Sequence, residues 1–144
     1  MFITAVSIVS LLFAEGTHVA GRTTGMILDK LDLMQAMGDL EGSAAAEGSG
    51  YLVDGEAIGV NLRLPPNQTY QVIGICDDDC TDVDMWAADG AGGMLTGDVE
   101  PEDYAVFPIV VPASGRVSLV ISMAECTVNP CAYGYRLLPM SSGW

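Results

Sequence analysis

The residues most able to do chemistry are concentrated in one acidic stretch, CDDDCTDVD, at residues 76–84. Five aspartates lie within these nine positions, and their carboxylates repel one another unless a cation or water lies between them. Calcium takes about six to eight oxygen ligands, and alternate residues of a strand present their side chains on one side. We therefore predict a Ca²⁺ site whose ligands are Asp77, Asp79, Asp82 and Asp84.

The acidic character continues beyond this stretch. Residues 77–103 contain ten acidic residues and no basic one. Asp98 and Asp103 could complete a calcium site only if the fold brings their loop to it. The stretch is not an EF-hand loop, because it lacks the central Gly and the terminal Glu. The alternative to calcium is a solvated acidic loop that keeps the protein soluble, and the sequence leaves both interpretations open.

The four cysteines form two close pairs, Cys76/Cys80 and Cys126/Cys131. A four-thiolate zinc site is one interpretation, but the aspartates inside the first pair would add charge to an already dianionic centre. Disulfides in an oxidising compartment are therefore favoured. We predict the local pairs 76–80 and 126–131, and a cross-pairing between the two loops stays open.

The sequence does not indicate an active site. A glycosidase needs two carboxylates at a set separation, one of them with a raised pKa in a cleft. A hydrolase built on Asp82 and Asp84 is therefore only the third class of function. The single His18 lies apart from any Ser or Cys nucleophile motif, and no phosphate-binding or dinucleotide-binding fingerprint is present. Trp86 and Trp144 could stack on sugars, although core or terminal packing is the simpler interpretation.

Composition limits the partners. The chain has 144 residues, half of them apolar, and its formal net charge is −14 with only 5 Lys and Arg. Nucleic acid and anionic membrane surfaces would be repelled by this charge. The length suits one domain with a hydrophobic core.

Residues 1–22 are predicted to be an apolar N-terminal arm. Its run from Phe2 to Ala14 has the length of a signal-peptide core and is too short for a comfortable membrane span, but the first basic residue is Arg22. The alternative is a β-strand that pairs with the sheet edge of a neighbouring copy. The residues predicted to mediate this self-assembly are Ile3, Val6, Ile8, Leu11 and Phe13.

Residues 23–50 are predicted to form an amphipathic helix and a linker. Over 24–40, with Thr24 as N-cap, apolar residues recur at helical spacing. This stripe comprises Ile27, Leu28, Leu31, Met34 and Met37. Gly38 and Gly42 mark the helix end, and the small residues of EGSAAAEGSG, 41–50, predict a flexible linker.

Residues 51–144 are predicted to form an antiparallel β-sandwich of the jelly-roll or Ig-like type, in a chain that is mainly β. Short alternating segments are separated by turn signals, as in such sandwiches. The predicted strands are 57–64, 69–76, 82–88, 105–111, 115–123 and 131–138, with a weaker one near 93–96.

The sandwich segment, residues 57–138, resembles the bacterial pre-peptidase C-terminal (PPC-like) domains. The resemblance rests on an Asp-x-Asp strand followed by D-x-x-G, a Gly entering a strand, and Tyr-containing strands. The matching residues are Tyr70, Asp82, Asp84, Asp89, Gly90, Gly115 and Tyr135. The resemblance implies a secreted, non-catalytic module, and some such modules bind calcium or sugars.

Two functions are therefore expected. The first is an extracellular structural protein that assembles into a filament or surface layer through its N-terminal segment, with a calcium-stabilised sandwich. The alternative is a monomeric secreted module that binds a carbohydrate or a surface and carries an N-terminal signal peptide.

Overall fold

The fold is built from one helix and eight strands in residues 25–140, the part of the chain that a computed structural model describes. Helix α1 spans 25–37. The strands are β1 (Ala46–Leu52), β2 (Ala57–Arg63), β3 (Thr69–Cys76), β4 (Cys80–Asp89), β5 (Met94–Asp98), β6 (Tyr104–Val110), β7 (Arg116–Cys126) and β8 (Cys131–Pro139). The predicted N-cap Thr24 and the predicted self-assembly residues Ile3, Val6, Ile8, Leu11 and Phe13 lie outside the described residues.

The strands form two antiparallel four-stranded sheets packed face to face. Sheet I has the order β1-β8-β3-β6, and sheet II has the order β2-β7-β4-β5. Every connection except β4–β5 crosses from one sheet to the other. The prediction of a mainly β, antiparallel sandwich with one helix is confirmed.

Alternation along the strands places the core between the sheets. In β7 every second residue is buried: Val117, Leu119, Ile121 and Met123. The residues between them face outward and are more accessible. Strand β3 differs, because it is buried over almost all of its length. Its outer face is covered by α1, which gives sheet I a second apolar layer.

Helix α1 packs on the outer face of sheet I through Ile27 and Leu31, each 1% exposed. Gly134 of β8 permits this close approach, because a Cβ there would collide with Ile27 Cγ2. The predicted apolar stripe is only partly correct, since Leu28 is 39% and Met37 78% exposed. The helix makes a narrower contact than its sequence pattern suggests.

The predicted linker is wrong over its second half. Residues 46–50 belong to β1, which pairs with β8 along its full length. Gly48 and Gly50 lie opposite Tyr135 and Tyr133, and a Cβ at either glycine would collide with the tyrosine ring and hydroxyl. The two glycines, whose composition suggested a flexible linker, instead leave room for two tyrosine side chains.

Both predicted disulfides are present, Cys76–Cys80 and Cys126–Cys131. Each joins a strand of one sheet to a strand of the other, and Cys80 and Cys126 are partners in the β4–β7 register. The two short bridges therefore hold the sheets together at one end of the sandwich. Two disulfides indicate a secreted or extracellular protein.

Candidate ligand-binding face

The acidic stretch 76–84 divides into a structural loop and part of a sheet face. In the loop, both oxygens of the buried Asp77 accept hydrogen bonds, Oδ1 from the Asp79 N–H and Oδ2 from the Ala132 N–H at 2.8 Å. The Asp79 carbonyl accepts from the N–H and hydroxyl of Thr127. Asp77 thus fastens the loop to β8, and its carboxylate is already occupied.

Asp78 in the same loop anchors the helix. Lys30 Nζ donates to Asp78 Oδ1 at 2.8 Å and to the Cys76 carbonyl at 3.1 Å. The hydrogen bond and charge of Lys30 lower the pKa of Asp78. On the other side of α1, Arg136 contacts Asp32 and Glu47. The loop and helix are thereby tied to sheet I.

Asp82 and Asp84 lie two residues apart on the outer face of β4, while Val83 and Met85 point into the core. Oδ1 of each aspartate is buried and has no hydrogen-bonding partner. Burial, then the charge of Asp82 and the hydrogen bond that a protonated Asp84 can form with it, then the charge of Asp98, raise the pKa of Asp84 to about 6. A proton held between the two carboxyl groups would satisfy atoms that are otherwise orphaned.

The four predicted calcium ligands are not brought together. Asp77 and Asp79 lie in the loop, whereas Asp82 and Asp84 lie on the outer face of sheet II. Within residues 25–140, no group of three or more His, Cys, Asp or Glu side chains could hold a metal ion. Calcium binding stays a prediction, confined to the Asp82–Asp84 pair.

The outer face of sheet II carries Trp86 near its middle. Trp86 is half-buried and lies between Val120 on β7 and Gly97 on β5. Val120 in turn lies beside Gly59 on β2. A Cβ at Gly97 would lie 2.5 Å from Trp86 Cβ, so glycine is required for β5 to pair here. Because Gly59 and Gly97 flank the Val120–Trp86 pair, no side chain lies at the position next to it on either side of the sheet face.

Polar and basic residues follow on one side of Trp86. The next residues across the sheet are Asn61, Ser118 and Ala88, and beyond them Arg63 lies opposite Arg116. These residues line a groove of about 940 Å³ that also includes the β4–β5 turn. On the other side of Trp86 lies Asp84, beside Ser122. The face therefore has a basic end and an acidic end.

The β4–β5 turn that borders the groove is organised by Asp89. Its Oδ1 accepts from the N–H groups of Ala91 and Gly93, both at 2.9 Å. Gly92 adopts φ +88°, a conformation that favours glycine. This D-x-x-G turn was noted in the sequence for its resemblance, and its role here is to close one side of the groove.

The remaining residues of the PPC-like pattern are structural in this fold. Tyr70 and Tyr135 are buried in the core. Gly115 has φ +73°, and a Cβ there would lie 2.9 Å from the Leu64 carbonyl oxygen. The pattern thus describes the turns and packing of a sandwich.

Sequence reasoning named Trp86 but missed Arg63 and Arg116. They are 53 positions apart in the chain and become neighbours only through the β2–β7 register. No local spacing could have brought them together.

No protein-family model and no curated protein sequence matches this chain. Among solved structures, a CBM4 protein covers 74% of this chain and 83% of its own, at 12% identity and a TM-score of 0.47. The periplasmic inhibitor of g-type lysozyme PliG from Aeromonas hydrophila covers 67% and 88%, at 11% identity and a TM-score of 0.43. A de novo designed double-stranded β-helix covers 65% and 99%, at 15% identity and 0.39. Likeness at this level carries no argument about function.

The described residues contain no helix that is long and apolar enough to cross a membrane.

Proposed function

We propose that the protein is a secreted, non-catalytic binding module whose outer face on sheet II binds a carbohydrate chain. The observation that carries this proposal is the half-buried Trp86 in a groove of about 940 Å³ with polar residues along one side. Binding sites are typically concave, with aromatic side chains and a few polar groups that fix the ligand. An indole offers a flat apolar surface to a sugar ring.

The neighbours of Trp86 support an extended ligand. Asn61 and Ser118 supply an amide and a hydroxyl on the groove floor. The groove lies along a sheet face instead of entering the core, which suits a chain of sugars more than one small molecule. The disulfides at the opposite end and the packed core hold this face in one shape.

Affinity electrophoresis tests this proposal with the full chain and gels that contain cellulose derivatives, xylan, β-glucan, chitin derivatives or pectin. We expect at least one polysaccharide to retard the protein, and Trp86→Ala to remove the retardation. Met94→Ala is a matched control, because Met94 is 63% exposed and lies outside the groove lining. If no gel retards the protein, or if Trp86→Ala migrates like the wild type, the proposal fails.

We further propose self-assembly by strand donation, for which the β1–β2 side of the sandwich is better suited than the β5–β6 side, where side chains already link the two sheets. On the β5–β6 side, Asp98 Oδ2 accepts from the Val106 N–H and Thr96 Oγ1 donates to the Pro108 carbonyl. On the β1–β2 side, each edge strand pairs only with one neighbour in its sheet among the described residues. The outer edge of such a strand is where an added strand can pair.

Deletion of residues 1–14 tests self-assembly. We expect the full chain to elute as a large species in size-exclusion chromatography with light scattering, and the truncated chain as a monomer. Charged substitutions at Ile8 and Leu11 should act like the deletion. A monomeric full chain, or assembly that persists after deletion, would refute strand donation.

A further inference from the structure

The pairing of Arg63 with Arg116 has an electrostatic cost that no other contact within residues 25–140 offsets. They are direct cross-strand partners on the outer face of sheet II, and like charges in this position are destabilising. The chain has 19 acidic residues, yet neither guanidinium forms an ion pair or hydrogen bond with another described residue. Lys30 and Arg136, by contrast, are both paired with carboxylates.

One acidic side chain, that of Asp89, lines the same groove without forming an ion pair with either arginine. Its Oδ1 is held within its own turn by two backbone hydrogen bonds. Gly90 in that turn lies beside the aliphatic part of Arg116, 3.8 Å from Cβ when a Cβ is built on the glycine. The turn therefore supports the arginine stem and leaves its charged group exposed.

Two adjacent guanidinium groups match one kind of ligand group well. Each presents a planar fork of N–H donors that can bind both oxygens of a carboxylate. A carboxylate between Arg63 and Arg116 would convert their repulsion into two favourable contacts. The amide of Asn61 and the hydroxyl of Ser118 lie in the next position along the strands and can bind sugar hydroxyls.

We propose that the ligand is an acidic glycan, with a uronate carboxylate held between Arg63 and Arg116 and another sugar of the same chain on Trp86; this inference rests on the carbohydrate-binding role proposed above. Val120, the partner of Trp86, lies four residues from Arg116 on β7, which corresponds to about 14 Å. The ligand therefore spans several sugar rings. Asp84 on the far side of Trp86 repels acidic sugars and fixes the ligand direction.

The net charge of −14 restricts how acidic this glycan can be. The whole protein repels a polyanion at long range, and only the basic end of the groove attracts one. The ligand class is therefore a glycan whose carboxylates are separated by neutral sugars, in contrast to nucleic acid or a heavily sulfated polymer.

The test compares oligomers of galacturonic acid in two matched forms, one partly and one fully methyl-esterified, both long enough to span the groove. Esterification removes the charge and keeps the sugar backbone. Isothermal titration calorimetry with the full chain should give a Kd for the partly esterified form that is lower by roughly fivefold or more than the Kd for the fully esterified form. Arg63→Ala and Arg116→Ala should each reduce this preference, because one contact remains, and the double substitution should remove it. Arg63→Lys should keep more of the preference than Arg63→Ala, because it keeps the charge without the fork.

Lys30→Ala is the charge-matched control, since it removes one positive charge outside the groove and should keep the preference. Equal binding of both forms by the wild type, with loss of both in Trp86→Ala, would overturn the acidic-glycan inference and leave the carbohydrate-binding proposal standing. Binding of either form that Trp86→Ala does not weaken would overturn the carbohydrate-binding proposal. A preference that survives both arginine substitutions would overturn the inference about Arg63 and Arg116.

Discussion

Replacement of Asp84 by Asn should stabilise the protein at neutral pH. At pH 7 the carboxyl group of Asp84, whose pKa is raised to about 6, is ionised in the folded state and faces Asp82. Two buried oxygens, Oδ1 of each residue, then lack a hydrogen-bond donor. An Asn side chain has no charge, and its amide can donate to Asp82 without a shared proton.

The magnitude follows from the pKa. A rise in the pKa from 3.8 to about 6 corresponds to a cost of about 3 kcal/mol in the free energy of unfolding, at about 1.36 kcal/mol per pKa unit, for a fully buried group. Asp84 is only half-buried, so solvent reduces the cost to about 1–2 kcal/mol. Because the folded-state pKa of Asp84 is raised, this cost is absent below pH 3.8, where the carboxyl group is protonated in both the folded and the unfolded state. The corresponding stability is lost as the pH rises through about 6.

Urea unfolding from pH 4 to pH 8 measures the effect. We expect Asp84→Asn to exceed the wild type by about 1–2 kcal/mol at pH 8, or about 3–8 °C in Tm, and by little at pH 4. Asp79→Asn is the control, because it makes the same substitution at an exposed aspartate of the neighbouring loop. If Asp84→Asn is less stable than the wild type at pH 8, the carboxyl-pair interpretation is wrong.

Three further predictions concern the fold and the calcium site. Gly134→Ala should lower the free energy of unfolding by about 1–3 kcal/mol in urea titration, because its Cβ collides with Ile27. Replacing Cys126 and Cys131 together by Ser should cost about 2 kcal/mol in the same assay, because the bridge restricts the unfolded chain. Millimolar Ca²⁺ should raise the Tm of the wild type and not that of Asp82→Asn.

Each of these predictions has a control and a contradicting result. Gly25→Ala is the control for Gly134, because nothing lies within 4 Å of a Cβ there, and equal effects of the two would contradict the helix-packing account. An unchanged urea midpoint in the double serine variant would contradict the role of the bridge. A wild-type Tm that does not respond to calcium would show that the calcium prediction is wrong.

The parts of the fold that follow from local pattern were predictable. Strand β7 alternates buried and outward residues over its length, and its position was predicted within three residues at each end. Strand β1 was missed because its small residues make sense only opposite Tyr133 and Tyr135, whose pairing is a long-range property. Leu28 and Met37 of α1 were misjudged because Ile27 and Leu31 make the buried contact with sheet I, which leaves Leu28 and Met37 exposed.

The candidate site was less predictable than the fold. The spacing of Asp82 and Asp84 correctly placed both on one side of a strand, but it could not separate them from Asp77, whose carboxylate is bound by the backbone of β8. Trp86 was recognisable by residue type alone. The Arg63–Arg116 pair depends on which strands are neighbours and on their register, and neither is encoded in a local motif.

The central claim is that the outer face of sheet II binds carbohydrate, and NMR chemical-shift mapping tests it most directly. In a titration with the polysaccharide fragment that binds most tightly, we expect shifts at the Trp86 indole N–H and at the backbone amides of Asn61 and Ser118. The amides of Ile27 and Leu31, on the far side of the sandwich, should stay unchanged. Shifts confined to the α1 side of the molecule, or a titration that leaves the Trp86 indole unmoved, would contradict the account.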